Sequence, residues 1–216
     1  MLEELFFTLF VAAGTIAFAM SGSFKAIKHD LDVLGVVVLG FVTALGGGLI
    51  RDMLLQYTPV AFIDILPSVS ALAGCFIAIL LNIAYKRDNL PSFMRNGKSF
   101  LVVDAVGLSA FTVIGASMGA EAGMNAFGVI LLAAITGVGG GVIRDMLVAE
   151  VPLVLKADFY ATATIIGGAT FALLYWLGWS ASITSLTAFI MTLLLRVLAI
   201  WLKWQLPKLY NGHDLQ

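Results

Sequence analysis

Two nine-residue segments hold the side chains with the most chemical potential. GGGLIRDML occupies 46–54 and GGGVIRDML occupies 139–147, so eight of nine positions agree. Each sets three glycines just before an Arg-Asp pair: Gly46, Gly47 and Gly48 before Arg51 and Asp52, and Gly139, Gly140 and Gly141 before Arg144 and Asp145. Glycine costs up to about 1 kcal/mol relative to alanine inside a helix, so each triplet weakens its helix. One consequence is close packing of a neighbour on the bare backbone. The other is a bend or unwinding that frees carbonyl oxygens towards a water-filled cavity, where they can replace part of a cation's hydration shell. Two triplets at equivalent positions favour the second, which makes the six glycines candidate pore kinks.

The other candidates are ionisable or polar. Arg51, Asp52, Arg144 and Asp145 lie within apolar runs, where charges pair, line an aqueous route or snorkel to the interface. Structural pairing and pathway lining fit them equally well. Asp104 lies in another apolar run. It can attract a cation or move a proton, and it can equally pair with Lys98. Ser21, Thr43 and Thr136 are pore-lining candidates, although a threonine in a membrane helix most often bonds its own i−4 carbonyl. Arg196 is expected to snorkel towards the headgroups.

The elements that must carry these residues follow from composition. The 216-residue chain is 61% hydrophobic and 12% charged, with a mean hydropathy of +1.03. Too little charge is present to cover a water-soluble surface, so the bilayer is the solvent. The net charge of −1 gives no footprint for nucleic acid. Two histidines and a single cysteine, Cys75, are too few for a typical zinc site and allow no disulfide within the chain. No serine, histidine and acid cluster in a way that suggests a nucleophilic triad, so neither an enzyme nor a cofactor is expected, and no metal beyond permeating monovalent cations. Cys75 is expected to be a buried, inert thiol.

A spanning helix needs about 20 apolar residues. Seven candidates lie near 4–24, 33–56, 62–85, 99–119, 124–149, 157–177 and 180–203. The same offset of 93 residues that relates the two motifs also pairs Gly14 with Gly107, Phe18 with Phe111, Gly22 with Gly115 and Pro59 with Pro152. This implies a duplication. Three spans per copy is an odd number, so the second copy enters the membrane inverted. The expected fold is an all-α integral membrane protein: seven transmembrane helices in an inverted 3+3 repeat plus a seventh helix. The divisions are 1–86 for the first repeat, 87–98 for a cytoplasmic linker, 99–178 for the second repeat, and 179–216 for the last span and tail.

With seven spans, Lys25, Lys28, Lys86, Arg87, Arg95, Lys98, Lys156, Lys203 and Lys208 fall in connections on one side. The positive-inside rule places the N-terminus outside and the C-terminus in the cytoplasm. At 1.5 Å per residue, each triplet lies roughly 20 Å from the start of its span. The two triplets should then flank the centre from opposite faces.

The doubled glycine motif and the 3+3+1 pattern resemble the prokaryotic branch of the TRIC family, the trimeric intracellular cation channels, whose bacterial members are also described as glycine-transporter-domain proteins. The resemblance covers about residues 5–203. It implies a homotrimer among membrane lipids in the inner membrane. Each subunit would hold a pore permeable to K⁺ and, less selectively, Na⁺, with the kinked second and fifth helices lining the path. A secondary carrier of a small solute such as glycine shares this architecture and is the alternative.

Overall fold

The computed structural model describes residues 2–84, 98–156 and 159–204. Among these residues the chain is helical, with no strand. In order the helices are α1 (Leu2–Lys28), α2 (Val33–Leu54), the one-turn α3 (Val60–Ile63), α4 (Ile65–Ala84), α5 (Lys98–Glu121), α6 (Ala126–Leu147), the one-turn α7 (Leu153–Lys156), α8 (Ala161–Trp176) and α9 (Ala181–Leu202). Six are long and apolar enough to cross a membrane, whereas α8 has only 16 residues. The expected linker at 87–98 lies outside the described residues except for Lys98, which opens α5. So do Lys86, Arg87, Arg95 and Lys208, and the side chain of Lys98.

Helices α2 and α6 start and stop by the same local chemistry. Asp32 caps α2 by accepting from the Gly35 amide (2.7 Å), and Asn125, 93 positions on, caps α6 by accepting from Gly128 (2.9 Å). After each helix the chain turns through a left-handed residue, Gln56 at φ 59° and its counterpart Ala149 at φ 54°. Neither is glycine, so each carries roughly 1–2 kcal/mol of backbone strain. The one-turn helices α3 and α7 follow at the same spacing.

Helices α1 and α5 form the centre. α1 packs on α2, α4 and α5, while α5 packs on α6, α8 and α9. They meet through Phe18 and Phe111, repeat counterparts whose rings stack at 5.2 Å and 9°. Cys75 is buried and free, as its apolar surroundings suggested.

Helices α2 and α6 cross at their glycine triplets, and both remain helical throughout. Of the bend or unwinding expected at Gly46–Gly48 and Gly139–Gly141, unwinding does not occur. The triplets also touch each other rather than flanking the centre from opposite faces. A methyl group on Gly47 would collide with the Thr136 carbonyl oxygen, and one on Gly140 with that of Thr43. Gly46 faces Ile143 and Gly139 faces Ile50, so numbers rise along one helix as they fall along the other. The helices therefore cross antiparallel, backbone against backbone. Tertiary contact on the bare surface outweighs the weak helix propensity of glycine.

Three basic residues also differ from expectation, the first being Lys28, which ends α1 and does not lie in the connection after it. Lys25 does not lie in a connection; it belongs to α1 and is buried. Arg196 does not snorkel outwards; it is 2% exposed, and its guanidinium lies over the Tyr160 ring at 4.7 Å.

Candidate functional site

Each Arg-Asp pair is a local clasp. Arg51 Nε donates to Asp52 Oδ1 (2.8 Å), and the other carboxylate oxygen accepts from the Val60 amide that opens α3 (2.9 Å). In the second half Arg144 Nε donates to Asp145 Oδ1 (2.9 Å), and Asp145 Oδ2 accepts from Leu153 at the start of α7 (2.9 Å). All four side chains are buried. Each aspartate thus ties the end of its long helix to the turn after it, while neutralising the arginine beside it.

Beyond the clasp the halves diverge. Arg144 Nη1 also donates to Asp104 Oδ1 in a short, buried ion pair and to Ser21 Oγ (2.7 Å). Ser21 Oγ in turn donates to Asp104 (3.0 Å), so residues of α1, α5 and α6 close one network. The Phe100 ring lies 4.7 Å from the Arg144 guanidinium, which is fully buried. Tyr160, 1% exposed at the start of α8, brings its hydroxyl against the Cα of Gly141. Outside this layer Lys25 lies 3.4 Å from Asp145 and donates to Glu150 (2.9 Å), which also holds His29 (2.9 Å). The Lys25 ammonium, and after it His29, hold the Glu150 carboxyl down to about 2.

At the first half's equivalent place a cavity of about 270 Å³ opens instead. Its wall holds the repeat counterparts of the network. Val11 stands for Asp104, Ile114 for Ser21, Pro67 for Tyr160, Gly48 for Gly141, Arg51 for Arg144 and Met118 for Lys25. Where one end of the molecule carries a carboxylate, a hydroxyl, a phenol ring and an ammonium, the other carries apolar groups and open space. One layer of the fold is therefore filled at one end and hollow at the other.

The predicted residues sort accordingly. Arg144, Asp145, Asp104 and Ser21 come together, and Arg51, Asp52 and Gly48 line the cavity. Thr43 and Thr136 bond the carbonyls of Leu39 and Leu132 on their own helices (both 2.6 Å) and donate to nothing across the crossing. Gly46, Gly47, Gly139 and Gly140 make the crossing, and Gly141 makes room for Tyr160. Sequence reasoning missed Tyr160, Lys25, Glu150 and Phe100. For Tyr160 and Lys25 the available signal was a repeat position at which the other copy is apolar, Pro67 and Met118; Phe100 gave no such signal, since its counterpart is Phe7.

The comparisons agree with this architecture. The chain matches the glycine transporter family over residues 8–82 and again over 101–176. It is 40% identical over 195 residues to the UPF0126 inner membrane protein YadS of Escherichia coli (strain K12), covering 89% of this chain and 90% of that protein. It is 37% identical over 202 residues to the UPF0126 membrane protein YvgT of Bacillus subtilis (strain 168), covering 90% and 92%. Among solved structures, a prokaryotic TRIC channel in 0.5 M KCl superposes with a TM-score of 0.84 at 36% identity, over 94% of this chain and 100% of that one. A TRIC cation channel studied for its conductance gives 0.80 at 41% identity, over 95% and 98%. The TRIC orthologue from Rhodobacter sphaeroides gives 0.80 at 30%, over 92% and 98%. With six long apolar helices and relatives named as membrane proteins, this is a multi-pass membrane protein. Doubled motif, antiparallel crossing and full-length likeness together make the chain a prokaryotic member of the TRIC family.

Proposed function

We propose that the chain is a K⁺-permeable cation channel of the inner membrane, a homotrimer with one pore in each subunit. The observation that carries this reading is the pairing of a cavity and a polar network in equivalent layers on either side of the α2–α6 crossing. A cation route would enter by the cavity beside Arg51 and Asp52, pass the glycine crossing, and leave where Arg144, Asp104, Ser21 and Tyr160 meet. In that case the network is the closed gate. Arg144 is held by both Asp104 and Asp145, so the barrier is removed by separating Asp104 from Arg144 while Asp145 keeps the arginine paired. The glycines would let two helices approach closely enough to leave a narrow route. Likeness to TRIC cation channels at 30–41% identity supports cation conduction and the trimer.

In this reading the chain crosses the membrane seven times, with the N-terminus outside and the C-terminus in the cytoplasm. Helix α8 reaches only about 24 Å at 1.5 Å per residue. The turns at its ends complete the crossing of a hydrocarbon layer about 30 Å thick.

A second reading has a specific observation behind it. One hollow end and one filled end is the one-sided access that a carrier shows in a single state, and the matching family is described as a glycine transporter. Purified protein in a planar bilayer under a K⁺/Na⁺ gradient separates the two. Discrete unitary currents that reverse on the K⁺ side are expected. Silence in the bilayer, together with saturable uptake of labelled glycine into proteoliposomes, overturns the channel.

A further inference from the structure

We propose that Arg196 of α9 is a positioning residue for the gate, holding the Tyr160 ring as a plug over Gly141. The inference rests on the channel reading, in which the Arg144 network is the closed gate. The duplication shows what the plug does. A methyl group on Gly48 would have Arg51 Nη2, at 3.6 Å, as its nearest neighbour outside the helix backbone, and the cavity lies beside it. The same group on the counterpart Gly141 would stand 2.8 Å from the Tyr160 hydroxyl. Pro67, the counterpart of Tyr160, lies in the cavity wall and leaves the layer open. The phenol is thus the group that covers the glycine at the filled end.

Arg196 accounts for its staying there. The guanidinium stands 4.7 Å from the Tyr160 ring centroid, and the two residues are 2% and 1% exposed. With water excluded, the attraction of a cation for an aromatic ring is at its strongest. The Asp104 carboxylate acts on Arg196 as well as on Arg144, which draws the guanidinium towards the gate. An arginine this near a helix end ordinarily reaches for the headgroups, because an intramembrane charge is costly unless paired. At position 196 it gives up that water for the ring and the carboxylate.

Helix α9 brings the arginine in from outside the duplication. Thr184, Ala188, Thr192, Arg196 and Ala199 form a buried stripe at helical spacing, while Ile190, Leu194, Leu198 and Trp201 are exposed. The helix packs mainly on α5 and α8, with Thr192 against Gly167. Because α9 follows both copies, the duplication gives Arg196 no counterpart at the hollow end. One peripheral helix therefore carries the hold on the plug, and a displacement of α9 releases it.

Thiol labelling of the purified full-length protein in detergent tests this without ion flux, so a silent bilayer and a failure of this proposal are separate results. The reporter is Ser21→Cys, inside the network, in a Cys75→Ser background, with a membrane-impermeant methanethiosulfonate as the reagent. Arg196→Met is expected to speed labelling by roughly 5- to 30-fold, the span of cation–π contacts converted to populations. Arg196→Lys keeps the cation without the planar fork and is expected to fall between Arg196→Met and wild type. Tyr160→Leu should speed labelling as well. Adding Arg196→Met to it should bring no further gain, since Arg196 acts through the ring. Thr192→Ala loosens the same helix without touching the stack, so it should lower the melting temperature and leave labelling at the wild-type rate. In bilayers that conduct, open probability should follow the labelling order. The proposal is overturned if the Arg196 variants, folded by circular dichroism and elution volume, label like wild type. It is equally overturned if Arg196→Met adds in full to Tyr160→Leu, or if Thr192→Ala labels as fast as Arg196→Met.

Discussion

Asp104 is the residue whose removal separates stability from gating. Breaking a buried ion pair by deleting one partner costs about 3–5 kcal/mol. Asp104→Asn belongs near the lower end, about 3 kcal/mol, because Arg144 keeps Asp145. A lower melting temperature in detergent and a higher open probability in bilayers are expected together. Loss of stability with no change in opening would remove Asp104 from the gate. Glu150 gives a prediction in pH. Lys25 and His29 lower its pKa to about 2 from the ordinary 4.5, so its ion pairs stabilise the folded chain fully above about 4.5. That contribution drains away as pH falls through about 2. Wild type should therefore melt above Glu150→Gln at pH 5 to 7, and thermal scans should show the gap closing near pH 2. The Arg-Asp pairs were legible in the sequence as neighbours in apolar runs. The link from Asp104 to Arg144 was not, because it joins α5 to α6 across 40 residues with no counterpart in the first half.

Among the helices, hydropathy placed every long element, since about 20 apolar residues admit little else in a bilayer. It did not decide between packing and unwinding at the glycines, because propensity describes an isolated helix and the triplets answer to a partner that no local pattern reveals. The crossing predicts a sharp contrast between adjacent positions. Gly47→Ala drives a methyl group into the Thr136 carbonyl and should cost about 1–3 kcal/mol. At Gly48 the same methyl group would sit 3.6 Å from Arg51 Nη2, an ordinary contact, so Gly48→Ala should be neutral or stabilise by up to about 1 kcal/mol. Paired thermal melts check this. Equal losses at both positions would mean that helix strain, not the crossing, sets the cost. Leucine at Gly47 is correspondingly expected to disrupt the packed subunit, and not merely to block a route through it.

The duplication was visible through both repeats, from a constant offset running through the motifs and the glycines, Phe18 and Pro59 around them. The departure from it was not visible, because a hollow layer facing a filled one arises from four scattered exchanges: Val11 for Asp104, Ile114 for Ser21, Pro67 for Tyr160 and Met118 for Lys25. That asymmetry gives the molecule a direction. Glu121 at the hollow end corresponds to Lys28 at the other, so the hollow mouth should concentrate cations. Glu121→Gln is expected to lower single-channel conductance in 20 mM KCl and to leave it near wild type in 1 M KCl, where the Debye length shrinks to about 3 Å. An equal loss at both salt concentrations would point to a structural role. The clasps also bear on how such a chain is made. The bare backbone at Gly47 emerges from the ribosome 93 residues ahead of its partner at Gly140, a wait of roughly 5 to 20 s at 5–20 residues per second. Through that interval Arg51 already has Asp52, and later Arg144 finds both Asp145 and Asp104 within its own half. Each half thus enters the bilayer with its arginine neutralised from within, so membrane insertion does not have to wait for the halves to meet.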